Sequence, residues 1–471
     1  MATGDPCSQG TDAVSTQTDT PIVESKPVGS TRLAASLWAV FAVTFINSVA
    51  TGIAYNGVFF ITDKAFGFSR QENLLYGLMM GVTYIVGALG AGPGVRALRA
   101  RFPSLTTRGV LIGVMFLATA LYLLPVVAWF AISISAAPAA SRGASQWAMW
   151  AFMACYSTLC GVLWPIVESF LSGGRTDHAL RAATGKFNVC WSSALVVAML
   201  IVSQAPGAIR ALTGATDQTP GVAAHGLTTL DATVSTLAIG ALLHLIAIFA
   251  ITALPREPGA HVHETHSYPP SYPRLLAVHR ALLPTSYMVM YVMLPLMPSL
   301  FKTVGINSTA LASGLTATWL VSRIAMFFTL DRWHGWHGKW ITAVGGTIGM
   351  LAGFTLCIAS GSLGDSLGLA ALITGLAIFG AGVAAIYCAA LYYALEVGAA
   401  AVDAGGMHEA LIGVGYTVGP ALGLGALGLT PQAAPGSSAQ VLSLVGLVAL
   451  GSVAGISLAV TAGVRASSRL G

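Results

Sequence analysis

Twelve long apolar stretches divide this 471-residue chain, and they limit its possible folds more than any other feature. A helix needs about 20 predominantly apolar residues to cross the hydrocarbon core of a bilayer. The sequence therefore predicts an all-α polytopic membrane protein with twelve transmembrane helices. The predicted spans lie near residues 36–60, 74–98, 107–132, 147–171, 186–205, 230–254, 281–301, 310–330, 340–360, 367–396, 406–429 and 439–462.

The composition excludes the soluble classes of protein. Hydrophobic residues make up 55% of the chain and charged residues only 8%, against about 25% charged in a typical soluble protein. The expected surroundings are a lipid bilayer, and the net charge of +5 requires no nucleic acid. The six cysteines show no metal-ligand spacing, and we find no phosphate-binding loop and no nucleophile–base pair. We expect no catalytic residues, no metal site, no cofactor and no enzymatic activity.

The polar segments define the domain organisation. We expect a disordered tail without a signal peptide at 1–34, a six-helix bundle at 35–254, a linker at 255–280, a second bundle at 281–464 and a tail at 465–471. If both termini are cytoplasmic, sixteen of the 22 lysines and arginines lie inside and five outside. Because Lys and Arg accumulate on the cytoplasmic side, we expect this orientation in the cell membrane.

The two halves repeat short patterns in register. Leu163-Trp164-Pro165-Ile166-Val167-Glu168 resembles Leu391-Tyr392-Tyr393-Ala394-Leu395-Glu396, and Gly185 and Gly406 open the helices that follow. Lys64 and Lys302 end the first helix of each half, and all these offsets lie between 221 and 238 residues. An in-register repeat predicts two six-helix bundles related by an axis along the membrane normal.

Several loops resemble motifs of the major facilitator superfamily of transporters. The stretch Asp331-Arg332-Trp333-His334-Gly335 is similar to its Gly-x-x-x-Asp-Arg-x-Gly loop motif, without the first Gly. The loop after helix 2 keeps the basic residues Arg96, Arg99 and Arg101. Helix 11 carries Gly415-x-x-x-Gly419-Pro420-x-x-Gly423, similar to a motif that antiporters of the family place in helix 5. The resemblance implies two bundles that rock about a central substrate cavity.

The charges near the ends of helices 4 and 10 form a candidate cytoplasmic gate. Glu168 and Arg175 have the spacing of the charge relay in sugar porters of the superfamily, which holds the cytoplasmic side closed. Glu168 and Glu396 act either as proton carriers or as structural latches, and their place near the interface favours latches. A histidine next to a carboxylate at the start of helix 11 suggests a proton relay, although an ordinary interfacial pair explains it too. The expected gate residues are Glu168, Arg175, Glu396, His408, Glu409, Asp331, Arg332, Arg96 and Arg99.

A second group of residues is expected at the central cavity. Arg323 is the deepest fixed charge and needs a partner, which is either a gate carboxylate or an anionic group of the substrate. In the resembled fold the walls come mainly from helices 1, 4, 7 and 10, with help from 2, 5, 8 and 11. Ordinary helix packing is the alternative explanation for each remaining candidate, namely Asn47, Tyr84, Trp191, Tyr287, Tyr291 and Trp319.

Two histidine features carry less weight. His244 lies on helix 6, outside the expected walls, and we interpret it as structural. The linker histidines His261, His263 and His266 lack supporting Cys or Asp, so we expect weak metal binding or none.

Three functions agree with these features. The first is a monomeric secondary transporter of a small organic solute, driven by the proton gradient or by the gradient of the solute. The second is an exporter of hydrophobic or drug-like compounds, which an acidic residue at the place of Asn47 would favour. The third is a receptor or scaffold on the same fold that moves nothing.

Overall fold

The computed structural model describes residues 34–133, 138–175, 177–214, 228–259, 269–397 and 402–468. Twelve of its helices are long and apolar enough to cross a membrane, which confirms the expected fold class. In chain order they are α1 (Leu37–Phe66), α2 (Arg70–Arg101), α3 (Thr107–Ser133), α4 (Pro138–Ser172), α5 (Asp177–Thr213), α6 (Thr229–Thr252), α7 (Ser271–Thr303), α8 (Thr309–Arg332), α9 (Ile341–Ala359), α10 (Asp365–Val397), α11 (Val402–Leu429) and α12 (Ser438–Ser468).

The helices form two halves, α1–α6 and α7–α12. We call the side where α1 begins and α12 ends the terminal face, and the other side the opposite face. The connections after α2, α4, α6, α8 and α10 lie at the terminal face, because successive helices cross in alternating directions. Within each half the helix surfaces are apolar, as expected for helices that satisfy their backbone groups internally.

The seventh helix begins ten residues earlier than the sequence suggested. Its first turns, from Ser271, alternate buried positions such as Tyr272, Leu275 and His279 with the exposed Arg274 and Arg280. An amphipathic turn of this kind has a low average hydropathy, so it does not stand out as a membrane span. The expected linker 255–280 is correspondingly shorter. The histidine tract and the tail at 1–33 lie outside the described residues.

The first helix of each half is irregular at matching depths. In α1 the segment Ile53–Gly57 is π-helical, and in α7 the segment Leu294–Leu296 is a 3-10 turn that contains Pro295. Proline removes a helix hydrogen bond, and π-helical turns occur frequently at functional sites. All residues of both irregular segments are buried.

The halves meet along α2–α11 and α5–α8. In the first pair, a Cβ on Gly81 would lie 2.4 Å from the backbone nitrogen of Thr417, so only glycine permits this approach. In the second, Ser203 donates a hydrogen bond to the carbonyl of Ala310 at 2.6 Å. The two halves are therefore in direct contact near the opposite face.

Candidate functional site

A cavity of about 100 Å³ lies between the two halves at mid-depth. Eight helices contribute to its walls, namely α1, α2, α4, α5, α7, α8, α10 and α11, and these are the helices that the resemblance named. Its lining residues are Ser48, Thr51, Tyr55, Asn56, Tyr84, Trp164, Glu168, Phe187, Trp191, Leu195, Tyr287, Met290, Tyr291, Trp319, Arg323, Tyr387, Glu409, Ile412 and Tyr416.

Two glutamates, one from each half, meet at the cavity wall. The side chains of Glu168 on α4 and Glu409 on α11 lie within hydrogen-bonding range of each other, and Glu409 is only 6% exposed. The Tyr84 hydroxyl donates a further short hydrogen bond to Glu409 Oε2. Two ionised carboxylates are acceptors only, so a hydrogen bond between them requires one proton on the pair. The site therefore contains a carboxyl pair that can hold an exchangeable proton.

The closeness of this pair depends on a glycine in the neighbouring helix. A Cβ on Gly405 would lie 2.8 Å from Glu168 Oε2, so any larger residue there would push the carboxyl group away. Gly405 begins the membrane part of α11, one turn before Glu409. The short Gly-rich start of α11 thus allows α4 to approach it.

Arg323 on α8 is buried without a carboxylate partner. Its side chain is 1% exposed, and its Nη2 donates to the Tyr287 hydroxyl at 3.2 Å. Within the described residues no ion pair involves Arg323, and its Nε has no hydrogen-bond partner. Instead the guanidinium carbon lies 4.3 Å from the ring centre of Trp191 and 5.2 Å from that of Tyr387. Aromatic faces attract the cation, but they leave most of its N–H donors unused.

Tyrosines connect the carboxyl pair to the arginine. Tyr416 lies at the centre, with its ring centre 5.3 Å from that of Tyr84, 5.4 Å from Tyr287 and 4.0 Å from Tyr291. Tyr55, from the π-helical segment of α1, packs 5.8 Å from Tyr416. The cavity is thus an aromatic chamber with a proton-holding pair and a cation in its wall.

The structure places most of the expected cavity residues around this chamber. Tyr84, Trp191, Tyr287, Tyr291, Trp319 and Arg323 all line it.

Asn47 does not line the cavity, and this expectation is corrected. It lies inside the first half, where its Oδ1 is 2.9 Å from His244 Nδ1, and His244 Nε2 is 2.9 Å from the Tyr156 hydroxyl. The hydrogen bond to His244 turns Asn47 away from the chamber, and it supports the structural interpretation of the histidine.

The charge relay expected from the spacing of Glu168 and Arg175 is not formed in this structure. Arg175 donates to the carbonyl oxygens of Phe170, Leu171 and Ala35, so it closes the end of α4 instead of holding the glutamate. Partial burial lowers the pKa of Arg175, but its ordinary value lies so far above neutrality that the group stays charged.

The remaining gate candidates are dispersed over the terminal face. Arg99 pairs with Glu257 at 3.2 Å, inside the first half, and Arg96 lies exposed one turn earlier. Arg332 stacks on Phe328, with its guanidinium carbon 3.5 Å from the ring centre.

His408 packs against Tyr387, with the ring centres 5.8 Å apart. The side chain of Glu396 lies outside the described part of the chain. Among the gate candidates, then, the structure brings Glu168 and Glu409 close together.

A second cavity of about 460 Å³ lies between α5, α8 and α10 near the terminal face. Asp331, His334, His337 and Asn188 are among its lining residues, and Phe327 lies both in its wall and beside Arg323. Asp331 is the gate candidate found here. Phe327 is therefore the residue that lies between this second cavity and Arg323 of the central chamber.

Sequence reasoning missed several residues of the chamber. Tyr55, Trp164, Tyr387 and Tyr416 were not among the candidates, although each is an aromatic residue on one of the eight wall helices. A search for aromatic residues at all depths of those helices would have identified them. Glu409 was assigned to the gate, and only the structure shows that it faces the chamber.

No protein-family model and no curated protein matches this sequence. Solved structures do match. A structure titled for substrate recognition in proton dependent oligopeptide transporters has a TM-score of 0.60 at 12% identity, covering 92% of this chain and 99% of that one. The proton:xylose symporter XylE, bound to 6-bromo-6-deoxy-D-glucose, has a TM-score of 0.57 at 14% identity, covering 88% and 94%. The nucleoside transporter NupG has a TM-score of 0.53 at 11% identity, covering 90% and 98%. At such identities the likeness concerns the fold.

Proposed function

We propose that this chain, which has the fold of the major facilitator superfamily, is a secondary active transporter of a small organic solute. The central chamber carries the proposal. It lies between two repeated halves at mid-depth of the membrane, and both halves contribute charged groups to its wall. A buried carboxyl group such as Glu409 and a buried guanidinium are costly in a membrane protein, and such groups typically mark a solute or ion pathway.

The contacts around the chamber support alternating access. At the opposite face the halves are joined by an ion pair between Asp63 at the end of α1 and Lys302 at the end of α7, with a distance of 2.8 Å. Near the terminal face a second cavity separates α5 of one half from α8 and α10 of the other. A solute would therefore exchange with the terminal side in this conformation, and separation of Asp63 from Lys302 would open the other side. The excess of Lys and Arg favours a cytoplasmic terminal face.

The carboxyl pair favours coupling to protons. Glu168 and Glu409 lie so close together that one proton between them would remove their mutual repulsion, and the pair could then lose that proton or accept a second. Because the pair joins α4 of one half to α11 of the other, its protonation affects the contact between the halves. For Glu168 we therefore propose a proton-carrying role instead of the latch that the sequence favoured.

Transport by purified protein in liposomes tests the proposal. Labelled sugars, nucleosides, dipeptides, organic acids and dyes are offered separately, with an imposed pH gradient and again with a proton uncoupler. We expect uptake of one solute class, accumulation above equilibrium with the gradient, and loss of that accumulation with the uncoupler. Uptake restricted to dyes would favour the exporter.

A variant pair separates coupling from folding. Glu409→Gln removes one titratable group from the chamber, and we expect it to abolish accumulation while facilitated exchange persists. Glu72→Gln is the matched control, because Glu72 caps α2 through the backbone of Ser69, and glutamine also serves at this capping position. Saturable binding of a solute without any flux in liposomes would instead establish a receptor and refute the transporter.

A further inference from the structure

We propose that Arg323 is the binding site for the carboxylate of a small organic monoanion with a planar, aromatic body. This rests on the proposed function, because it names the substrate class of the same chamber.

The guanidinium has donors that the protein does not use. Of its five N–H groups, the structure pairs one nitrogen, Nη2, with the Tyr287 hydroxyl at 3.2 Å. The Nε is buried and has no partner within the described residues. An arginine in a buried structural role usually has its charge balanced by a carboxylate. Here the described part of the chain supplies none within ion-pair distance of Arg323.

The nearby carboxyl pair does not balance this charge directly. Glu168 and Glu409 lie next to each other, and Glu409 also accepts a hydrogen bond from Tyr84. The side chain that accepts a hydrogen bond from Arg323 is Tyr287, which is neutral and does not balance the charge. A negatively charged solute would therefore supply the counter-ion of Arg323.

A carboxylate fits this position better than a neutral group. The planar guanidinium matches a carboxylate through two parallel hydrogen bonds, and such charge-assisted bonds are stronger than neutral ones. Sugar hydroxyls could accept a hydrogen bond from Arg323 but would leave the buried charge unbalanced. One guanidinium balances one negative charge, which favours a monoanion.

The aromatic walls of the chamber favour an aromatic ring in the rest of the solute. Rings of Trp191, Tyr387, Phe327 and Trp319 have their centres between 4.3 and 5.7 Å from the guanidinium carbon. Aromatic rings pack favourably against one another in offset or edge-to-face arrangements. A carboxylate held at Arg323 would place its attached ring among these residues. The cavity of about 100 Å³ leaves room there for a small organic molecule.

Binding of radiolabelled benzoate to the full chain in lipid nanodiscs tests this site. Benzamide is the matched neutral competitor, because it has the same ring and nearly the same shape as benzoate. We expect saturable benzoate binding, and at least a tenfold higher concentration of benzamide for the same displacement as unlabelled benzoate. Equal displacement by the two compounds, or no saturable binding of benzoate, would overturn the proposal without any variant.

Two variants then locate the site. Arg323→Met removes the charge and keeps an unbranched apolar side chain, and we expect at least a tenfold loss of benzoate affinity. Arg274→Met is the matched control, because Arg274 also stacks on a tryptophan, Trp340 at 5.0 Å, but lies outside the chamber. Unchanged benzoate affinity in folded Arg323→Met would overturn the assignment. If that variant does not fold, the competition with benzamide in the unaltered protein decides.

The two proposals fail in different ways. Charge-dependent benzoate binding without flux of any solute would refute the transporter and keep the anion site. Flux of a neutral solute in a protein that does not bind benzoate would refute the anion site and keep the transporter.

Discussion

The ion pair between Asp63 and Lys302 should stabilise the conformation that is closed at the opposite face. It is the one described ion pair that joins the two halves, and both side chains are partly accessible, 22% for Asp63 and 50% for Lys302. Ion pairs exposed to this degree contribute about 0.2–1 kcal/mol. At about 1.4 kcal/mol per tenfold change, removal should raise the ratio of open to closed molecules by a factor of about 1.4 to 5.

Distances between spin labels would measure this ratio. Gln71 on α2 and Asn307 before α8 are exposed at the opposite face, one on each half, so cysteines at these positions can carry the labels. In a protein without the native cysteines, we expect Asp63→Asn and Lys302→Met each to raise the ratio of long to short label distances by a factor of about 1.4 to 5.

A double-variant cycle decides whether the contact itself is responsible. The double variant should open no further than either single variant, and the exchanged pair Asp63→Lys with Lys302→Asp should restore closure. Lys64→Met is the control, because this exposed neighbour forms no ion pair with the described residues. Additive effects of the single variants, or a distance distribution unchanged by both, would refute the argument.

Three further changes have expected outcomes. Glu168→Gln should abolish proton-driven accumulation in liposomes as fully as Glu409→Gln, and the double variant should be no worse, because the pair holds its proton as one unit; additive losses would contradict this. Gly81→Val should lower the stability by about 1–3 kcal/mol through overpacking, and thermal unfolding would measure this loss. Gly113→Ala is the control and should leave the stability nearly unchanged, because nothing lies within 4 Å of the added Cβ. His244→Ala should lower the stability by about 1–3 kcal/mol for each buried hydrogen-bond partner that it leaves unpaired. Its benzoate affinity should be unchanged; a loss of affinity would show that the interior of the first half contributes to binding.

Much of the architecture could be predicted because membrane insertion is a local, additive property of sequence. The number of spans and their order follow from runs of apolar residues, and the register of the repeat follows from short matches such as Lys64 with Lys302. The start of α7 was missed for the same reason: an average over a window does not distinguish an amphipathic turn from a linker.

The direction in which a residue faces could not be predicted in the helices of the interior. In α1 successive side chains turn by about 100°, so Asn47 points to His244 while Ser48 next to it lines the chamber. Such a helix is buried on nearly every side, and its apolar pattern then carries no information about which side faces a cavity. The π-helical segment shifts this rotation again and places Tyr55 in the wall.

The sequence by itself determined that this is a membrane protein of twelve helices in two repeated halves, with buried charges that need a use. The tertiary structure alone decided how these charges are combined. It joined Glu168 to Glu409 instead of Arg175, because hydrogen bonds to carbonyl oxygens hold Arg175 at the end of α4. It also left Arg323 among aromatic rings without a carboxylate. Pairing between distant helices depends on their packing and rotation, and these arise only when the two halves come together.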